Sequence, residues 1–192
     1  SSVVLTGSSG ANNLIGARSA AADTLVGLAG DDRYEVGVGD IVIETQGGGT
    51  DTMSSDMSFA LADNVEIGAL LGAADANLAG NAEGNQLSGN IGNNLIQGGE
   101  GADVLYAGTG IDRLEGGEGA DRYVVYWPDG VTTIADYSAG LAEADRVVFS
   151  SYSSGWGWQR VGDDLQFDGN GAAYGARRLI IEGAFLAPQP TS

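Results

Sequence analysis

The chain has 192 residues, of which 33 are Gly and only 3 are Pro, and it contains neither Cys nor His. Its 26 acidic residues outnumber the 8 basic ones and give a formal net charge of −18 at pH 7. These counts exclude a disulfide framework and any histidine-based site, and the negative charge argues against binding nucleic-acid phosphates.

The N-terminal part of the chain contains an irregular block of repeats, which we place at residues 7–44. Its three units begin at Gly7, Gly16 and Gly27, and the second unit has two extra residues. Counting each unit in nines, the equivalents of its sixth and eighth positions are Asn12 and Leu14, Asp23 and Leu25, and Asp32 and Tyr34. Residues 45–79 follow as a strand-like connection to the next block.

A second block, which we place at residues 80–137, opens with five nonapeptides in unbroken register. Their first positions are Gly80, Gly89, Gly98, Ala107 and Gly116. Their sixth positions are Asn85, Asn94, Asp103, Asp112 and Asp121, and their eighth positions are Leu87, Ile96, Leu105, Leu114 and Tyr123. Self-similarity of this regularity predicts a solenoid in which each unit stacks on its neighbours.

Each nonapeptide predicts one turn and one short strand. The six Gly-rich residues suit turns that need positive φ, and the last three alternate so that one large apolar side chain points inward. Two nonapeptides then complete one coil, and loops eighteen residues apart stack directly. The sequence therefore predicts an all-β fold, with a roll over residues 1–137.

Stacking of the loops brings like charges together. Asp103 should lie over Asp121, and Asn94 over Asp112, so that carboxylates repel unless a divalent cation separates them. Calcium suits this gap because it prefers six to eight oxygen ligands at about 2.3–2.6 Å, including backbone carbonyls. Without calcium, we expect the acidic, Gly-rich chain to be partly disordered.

The repeats closely resemble those of RTX (repeat-in-toxin, haemolysin-type) calcium-binding proteins, most purely at residues 98–106 and 116–124. The resemblance implies a parallel β-roll, which is a right-handed, β-helix-like solenoid, followed by a β-rich cap or secretion-related segment over residues 138–192. It further implies the C-terminal repeat region of a longer protein that the type I secretion machinery exports. The expected location is therefore secreted, extracellular or on the cell surface.

The resemblance also implies a ligand set for each calcium ion. One loop supplies the carbonyls of its second and fourth positions and its sixth side chain; the loop eighteen residues later supplies its first and third carbonyls and its own sixth side chain. Carried onto this chain, the first site combines Gly99, Gly101 and Asp103 with Gly116, Glu118 and Asp121. The second combines Asn90, Gly92 and Asn94 with Ala107, Thr109 and Asp112.

Three weaker sites follow from the same ligand set. One would use Asn81, Glu83 and Asn85 with Gly98, Glu100 and Asp103, and another Ser8, Gly10 and Asn12 with Gly27, Ala29 and Asp32. Asp23 would need a partner near Asp40. Because Asn offers a neutral oxygen, its sites should be weaker or be replaced by hydrogen-bond ladders. We expect about two to four Ca²⁺ ions in all.

The late aromatic residues leave two functional interpretations open. They either cover the open end of the roll or form a platform for an extracellular polysaccharide; they are Trp127, Tyr137, Tyr152, Trp156, Trp158 and Tyr174. The main hypothesis is a module that folds on calcium after export and stabilises a larger secreted protein. The alternative is a calcium-dependent adhesive or polysaccharide-binding module of a surface protein or glycan-modifying enzyme. We expect no catalysis by this chain, no nucleic-acid partner and no transmembrane segment.

Overall fold

The computed structural model describes residues 1–16, 21–125, 130–135, 145–149, 156–161, 164–169 and 178–181. Every regular element in these residues is a β-strand, and they include no helix. In the same described part of the chain, nothing helical is long and apolar enough to cross a membrane.

The described strands form three sheets that run along the roll. The first sheet contains β1 (Val4–Thr6), β3 (Thr24–Val26) and β5 (Ile41–Ile43). The second contains β2 (Asn13–Ile15), β4 (Arg33–Glu35), β6 (Thr52–Ser55), β8 (Ile67–Leu70), β10 (Gln86–Ser88), β12 (Val104–Tyr106), β14 (Arg122–Val125) and β16 (Arg146–Phe149). The third contains β7 (Phe59–Ala60), β9 (Ala76–Ala79), β11 (Asn94–Glu100), β13 (Gly110–Glu118), β15 (Gly130–Ile134), β17 (Trp156–Val161), β18 (Asp164–Gly169) and β19 (Arg178–Ile181).

The strand register confirms the predicted coil of two nonapeptides. Strands of alternate number pair in parallel, so that Leu87 lies beside Leu105 and Leu105 beside Tyr123. On the other face, Ile96 pairs with Leu114. The chain is therefore an all-β parallel solenoid whose loops stack at the predicted spacing.

The core is a thin column of side chains from the eighth positions. All eight residues that the sequence places there are buried: Leu14, Leu25, Tyr34, Leu87, Ile96, Leu105, Leu114 and Tyr123. Their neighbours in the strands are exposed or half-buried, except for Val124 beside Tyr123, which is also buried. Fully burying a Leu or Ile is worth about 1.5–3 kcal/mol. No single coil has an interior of its own, so its stability depends on the coils above and below.

Residues 45–79 continue the coils between the two repeat blocks. Strand β6 pairs with β4 on one side and with β8 on the other. Met53 of β6 extends the buried column, where it lies beside Tyr34 and Gly68. The predicted strand-like connection is therefore part of the solenoid.

The predicted cap falls largely outside the described residues. Of its described strands, β19 pairs in parallel with β15, and β18 and β17 add to it in antiparallel fashion. Trp127, Tyr137, Tyr152 and Tyr174 lie outside the described residues, and only the backbone is described at Trp156 and Trp158. The division at residues 137 and 138 and the aromatic surface stay predictions.

Leu28 provides a test of the turn geometry. It is the second residue of its loop and has φ 84°, where the corresponding Gly99, Gly108 and Gly117 have φ 114°, 87° and 104°. A left-handed conformation costs a non-Gly residue about 1–2 kcal/mol, whereas the extra backbone entropy of Gly costs about 0.5–1 kcal/mol. We expect Leu28→Gly to raise the free energy of unfolding by about 0.5–1 kcal/mol, measured by urea denaturation in saturating calcium.

Ile91→Gly is the matched control for this change. Ile91 is also an exposed apolar loop residue, but it lacks a positive φ. Replacing it should lower stability by about 0.5–1 kcal/mol, because only the entropic cost remains. Equal losses in both variants would contradict the left-handed strain at Leu28.

Candidate metal centres between the coils

A ladder of hydrogen bonds fixes the acids that stack between coils. Asp103 Oδ1 accepts the backbone N–H of Asn85 at 2.7 Å, and Asp121 Oδ1 accepts that of Asp103 at 2.9 Å. On the other side of the roll, Asp112 Oδ1 accepts the N–H of Asn94 at 2.9 Å. The structure thus stacks Asp103 on Asp121 and Asn94 on Asp112, at the predicted separation of 18 residues.

The same ladder runs through the irregular N-terminal block. Asp32 Oδ1 accepts the N–H of Asn12 at 2.6 Å, and Asp51 Oδ1 accepts that of Asp32 at 2.7 Å. Asp40 Oδ1 accepts the N–H of Asp23 at 2.8 Å, so Asp40 is the neighbour that the sequence left uncertain. The inserted residues change the spacing along the chain without breaking the stack.

The second carboxylate oxygen of several ladder acids is buried without a donor. Among the residues that the structure describes, the Oδ2 atoms of Asp32, Asp51, Asp103 and Asp112 have no hydrogen-bond partner, and these four residues are 2% exposed or less. An unpartnered buried carboxylate oxygen is costly, and a hard cation with oxygen ligands removes that cost. These residues therefore fit the calcium that the repeats imply.

Glycine at the first position leaves room for this oxygen. A Cβ added at Gly98 would collide with Asp103 Oδ2 and with the backbone carbonyl oxygen of Gly116 in the next coil. A Cβ at Gly116 would collide with Asp121 Oδ2 in the same way. Carboxylate and carbonyl oxygens therefore face each other around the glycine, an arrangement of acceptors that suits a cation.

The predicted carbonyls of the first site face the following coil. The carbonyl oxygens of Gly99 and Gly101 lie against Gly117 and Gly119, respectively. Glu118 pairs with Glu100 where β11 and β13 extend into the loops. The structure thus brings the predicted residues of this site to one coil interface, while their roles as ligands stay predictions.

The predicted residues of the second site meet in the same way. The carbonyl oxygens of Asn90 and Gly92 lie against Gly108 and Gly110, and the carbonyl oxygen of Ala107 faces Gly89. Thr109 donates its N–H to the carbonyl of Asn90 at 3.0 Å.

In the N-terminal block, the carbonyl oxygen of Gly27 faces Gly7, and Gly10 lies against Gly30. Ala29 lies in the turn between the left-handed residues Leu28 and Gly30.

In loops with Asn at the sixth position, the side-chain amide oxygen of that Asn accepts a backbone N–H of the same loop. The Oδ1 atoms of Asn85 and Asn94 accept the N–H of Asn81 at 2.8 Å and of Asn90 at 2.9 Å, within the same loop. Asn12 Oδ1 accepts the N–H of Ser8 at 2.6 Å.

The amide nitrogens of these loops bond to the preceding coil. Asn81 Nδ2 donates to the carbonyls of Ala62 and Val65, both at 2.8 Å. Asn90 Nδ2 donates to the carbonyls of Leu71 and Ala74, both at 3.0 Å. The Asn loops therefore form the hydrogen-bond ladders that the sequence allowed as the alternative to weak metal sites.

Burial raises the pKa of the ladder acids. Desolvation raises the pKa of Asp103 to about 6. The hydrogen bond from the N–H of Asn85 lowers this pKa, and the negative charge of Asp121 raises it further. Desolvation raises the pKa of Asp112 to about 7, although the N–H of Asn94 opposes it. These acids lie in positions where the ionised form is disfavoured until a cation compensates it.

The repeat pattern did not identify three further acids of this stack, which are Glu44, Asp51 and Glu66. The carboxylate oxygens of Asp32, Glu44 and Asp51 lie within 4.8 Å of one another, and all three residues are buried. Glu66 extends the stack, because its Oε2 accepts the N–H of Asp51 at 2.7 Å. The sequence does contain a signal for Asp51, because residues 46–51 form a Gly-rich segment that ends in Asp. It contains no comparable signal for Glu44.

Comparison with known families agrees with this geometry. The family model described as RTX calcium-binding nonapeptide repeat (4 copies) matches residues 6–40, 79–114 and 97–124. No curated protein matches the chain. The matched segments contain the stacked loops in which Asp32, Asp103 and Asp112 present unpartnered oxygens. The chain therefore carries RTX calcium-binding nonapeptide repeats of the haemolysin type.

Proposed function

We propose that this chain is a calcium-dependent folding module that stabilises a larger secreted protein after export. One observation supports it above others: the same buried carboxylates that close the backbone ladder through Oδ1 keep an Oδ2 without a hydrogen-bond partner among the described residues. Packing the coils and burying these oxygens are therefore one event, which calcium favours and its absence opposes.

The Asp103 and Asp121 interface is the main proposed site. Carbonyl oxygens of Gly99, Gly101 and Gly116 lie there, together with the two carboxylates. The Asp112 interface is the next proposed site, with one carboxylate beside the amide oxygen of Asn94, which also accepts the N–H of Asn90. Because calcium affinity rises with the number of charged ligands, the first should bind more tightly.

Linkage makes calcium binding a source of folding energy. At a calcium concentration about ten times the Kd, each site adds about 1.4 kcal/mol to stability. Several sites together therefore supply a substantial part of the roughly 5–15 kcal/mol that stabilises an ordinary domain. Extracellular calcium modules bind with Kd values of about 10⁻⁴–10⁻³ M, so such sites are empty in the cytosol and filled outside.

The proposed role of this chain is not catalytic. Asp103 and Asp112 are 1% and 2% exposed and accept backbone N–H bonds inside the roll. A substrate has no access to carboxylates held in this way, whereas a bare ion does. Any catalytic activity is proposed to belong to the larger protein.

Removing calcium should unfold much of the roll. We expect the circular dichroism spectrum of the metal-free protein to lack most of the β signal. The net charge of −18 opposes a compact state, and the thin core contributes little to offset it. Millimolar calcium should restore the signal, and millimolar magnesium should restore less of it, because magnesium demands octahedral geometry and retains its water. Equal folded spectra with and without calcium would refute the folding role.

Asp103→Asn tests the main site with nearly unchanged shape. Loss of the buried carboxylate should weaken calcium binding at this site about tenfold or more, as followed by calorimetric titration, because ligand charge sets affinity. Glu100→Gln is the control, since it removes the same charge from an exposed side chain of the same loop. The proposal for this site fails if both variants bind calcium alike.

Acid should weaken calcium binding while it stabilises the metal-free fold. The folded pKa values of about 6 for Asp103 and about 7 for Asp112 exceed the unfolded value. The metal-free fold therefore holds extra protons between about pH 4 and 7, and its stability falls as pH rises through that window.

Calcium competes with those protons. We expect the apparent Kd to rise about tenfold or more from pH 7.5 to pH 5.5, measured in chelator-free buffer. The melting temperature of any residual metal-free structure should rise over the same change. Asp112→Asn should lose part of both effects, and a Kd independent of pH in the parent protein would contradict the mechanism.

A further inference from the structure

Three buried carboxylates converge between the coils of the N-terminal block. The ligand oxygens of Asp32, Glu44 and Asp51 lie within 4.8 Å of one another. These residues are 1%, 8% and 0% exposed, respectively. Of these three residues, the family match includes Asp32 alone, because its segments omit residues 41–78.

Glu44 replaces a backbone carbonyl at this interface. Around Gly7, Gly80 and Gly98, the side-chain oxygen of the sixth residue faces the carbonyl oxygen of a glycine in the next coil. Around Gly27, Asp32 Oδ2 instead faces Glu44 Oε1. A carboxylate thus occupies the position where the other interfaces have a neutral oxygen.

The strand register explains how Glu44 reaches this position. Strands β3 and β5 pair in parallel, and Gly27 donates its N–H to the carbonyl of Ile43 at 3.3 Å. Glu44 therefore lies beside Gly27, as Gly116 lies beside Gly98. The side chain of Glu44 turns into the space that the absent side chain of Gly27 leaves open.

The local donors do not satisfy these acids. Asp32 Oδ2 and Asp51 Oδ2 have no hydrogen-bond partner. The phenol of Tyr34 donates to Glu44 Oε1, and the N–H of Thr45 donates to Glu44 Oε2 at 3.1 Å. Two unpartnered oxygens from different coils therefore remain beside a third carboxylate, which is an arrangement that a cation stabilises.

We propose that Asp32, Glu44 and Asp51 form a calcium site of their own, built from three carboxylates rather than from repeat carbonyls. Calcium accommodates mixed carboxylate ligands at about 2.3–2.6 Å, and its affinity rises with ligand charge. This site is therefore the tightest in the chain and keeps its ion at lower free calcium than the Asp103 and Asp121 interface does.

Ion counting on the whole chain tests the proposal. Native mass spectrometry at a series of fixed free calcium concentrations should show that Glu44→Gln loses one bound ion, the one that fills first. Asp63→Asn is the matched control, because Asp63 is exposed, belongs to no proposed site, and its replacement removes the same charge. An unchanged ion count and filling order in Glu44→Gln overturns the proposal.

If Glu44→Gln does not fold, tyrosine-sensitised terbium luminescence measures the order in which the sites fill without that variant. Tyr34 contacts Glu44 directly, and Tyr123 Oη lies beside Asp121 Oδ2 around Gly116, so each tyrosine can sensitise terbium at its own site. Tyr34→Phe should reduce the emission of the first equivalent, and Tyr123→Phe that of later ones. The reverse order overturns the proposal.

The outcomes for this site and for the folding role are separable. Calcium-dependent folding with an unchanged ion count in Glu44→Gln refutes only the three-carboxylate site. If Glu44→Gln loses one ion but the circular dichroism spectrum of the parent protein does not change with calcium, only the folding role is refuted.

Discussion

The structure depends on the different contacts that the two oxygens of each stacked carboxylate make. In Asp103, Oδ1 accepts an N–H from the preceding coil, while Oδ2 faces the glycine of its own loop and a carbonyl of the next coil. The first contact closes the backbone ladder, and the second places a charge among acceptors. A coil cannot stack without burying that carboxylate, and on the proposed function a bound cation compensates the charge, which couples stacking to cation binding.

Two kinds of loop follow from the choice of Asp or Asn. The loop that ends in Asp103 has left-handed glycines at Gly99 and Gly101, whereas the loop that ends in Asn85 has no positive φ and bonds its own N–H to the amide oxygen. The amide of Asn85 thus bonds within its own loop, where we propose that a cation binds at Asp103. Asn85 lies between Asp51 and Asp103 along the stack and separates two acidic stretches.

Periodicity made most of the fold predictable. The eighth-position column and the stacking of Asp103 on Asp121 follow from spacing alone, because turn and strand repeat in nines. Asp51 was missed because Gln46 replaces glycine at the first position of its loop and two residues precede it. Glu44 was beyond reach, since its role depends on the register of β5 against β3, which only the folded chain defines.

The same irregularity that hid Glu44 changes the chemistry of its interface. The separation of Asp32 and Asp51 is 19 residues, one more than in the regular block, and Thr45 Oγ1 donates a hydrogen bond to the carbonyl of Leu28. The irregular segment exchanges a carbonyl oxygen for a carboxylate and raises the local negative charge. Affinity for calcium follows ligand charge rather than agreement with a repeat pattern. This irregular interface therefore has a strong electrostatic demand for an ion.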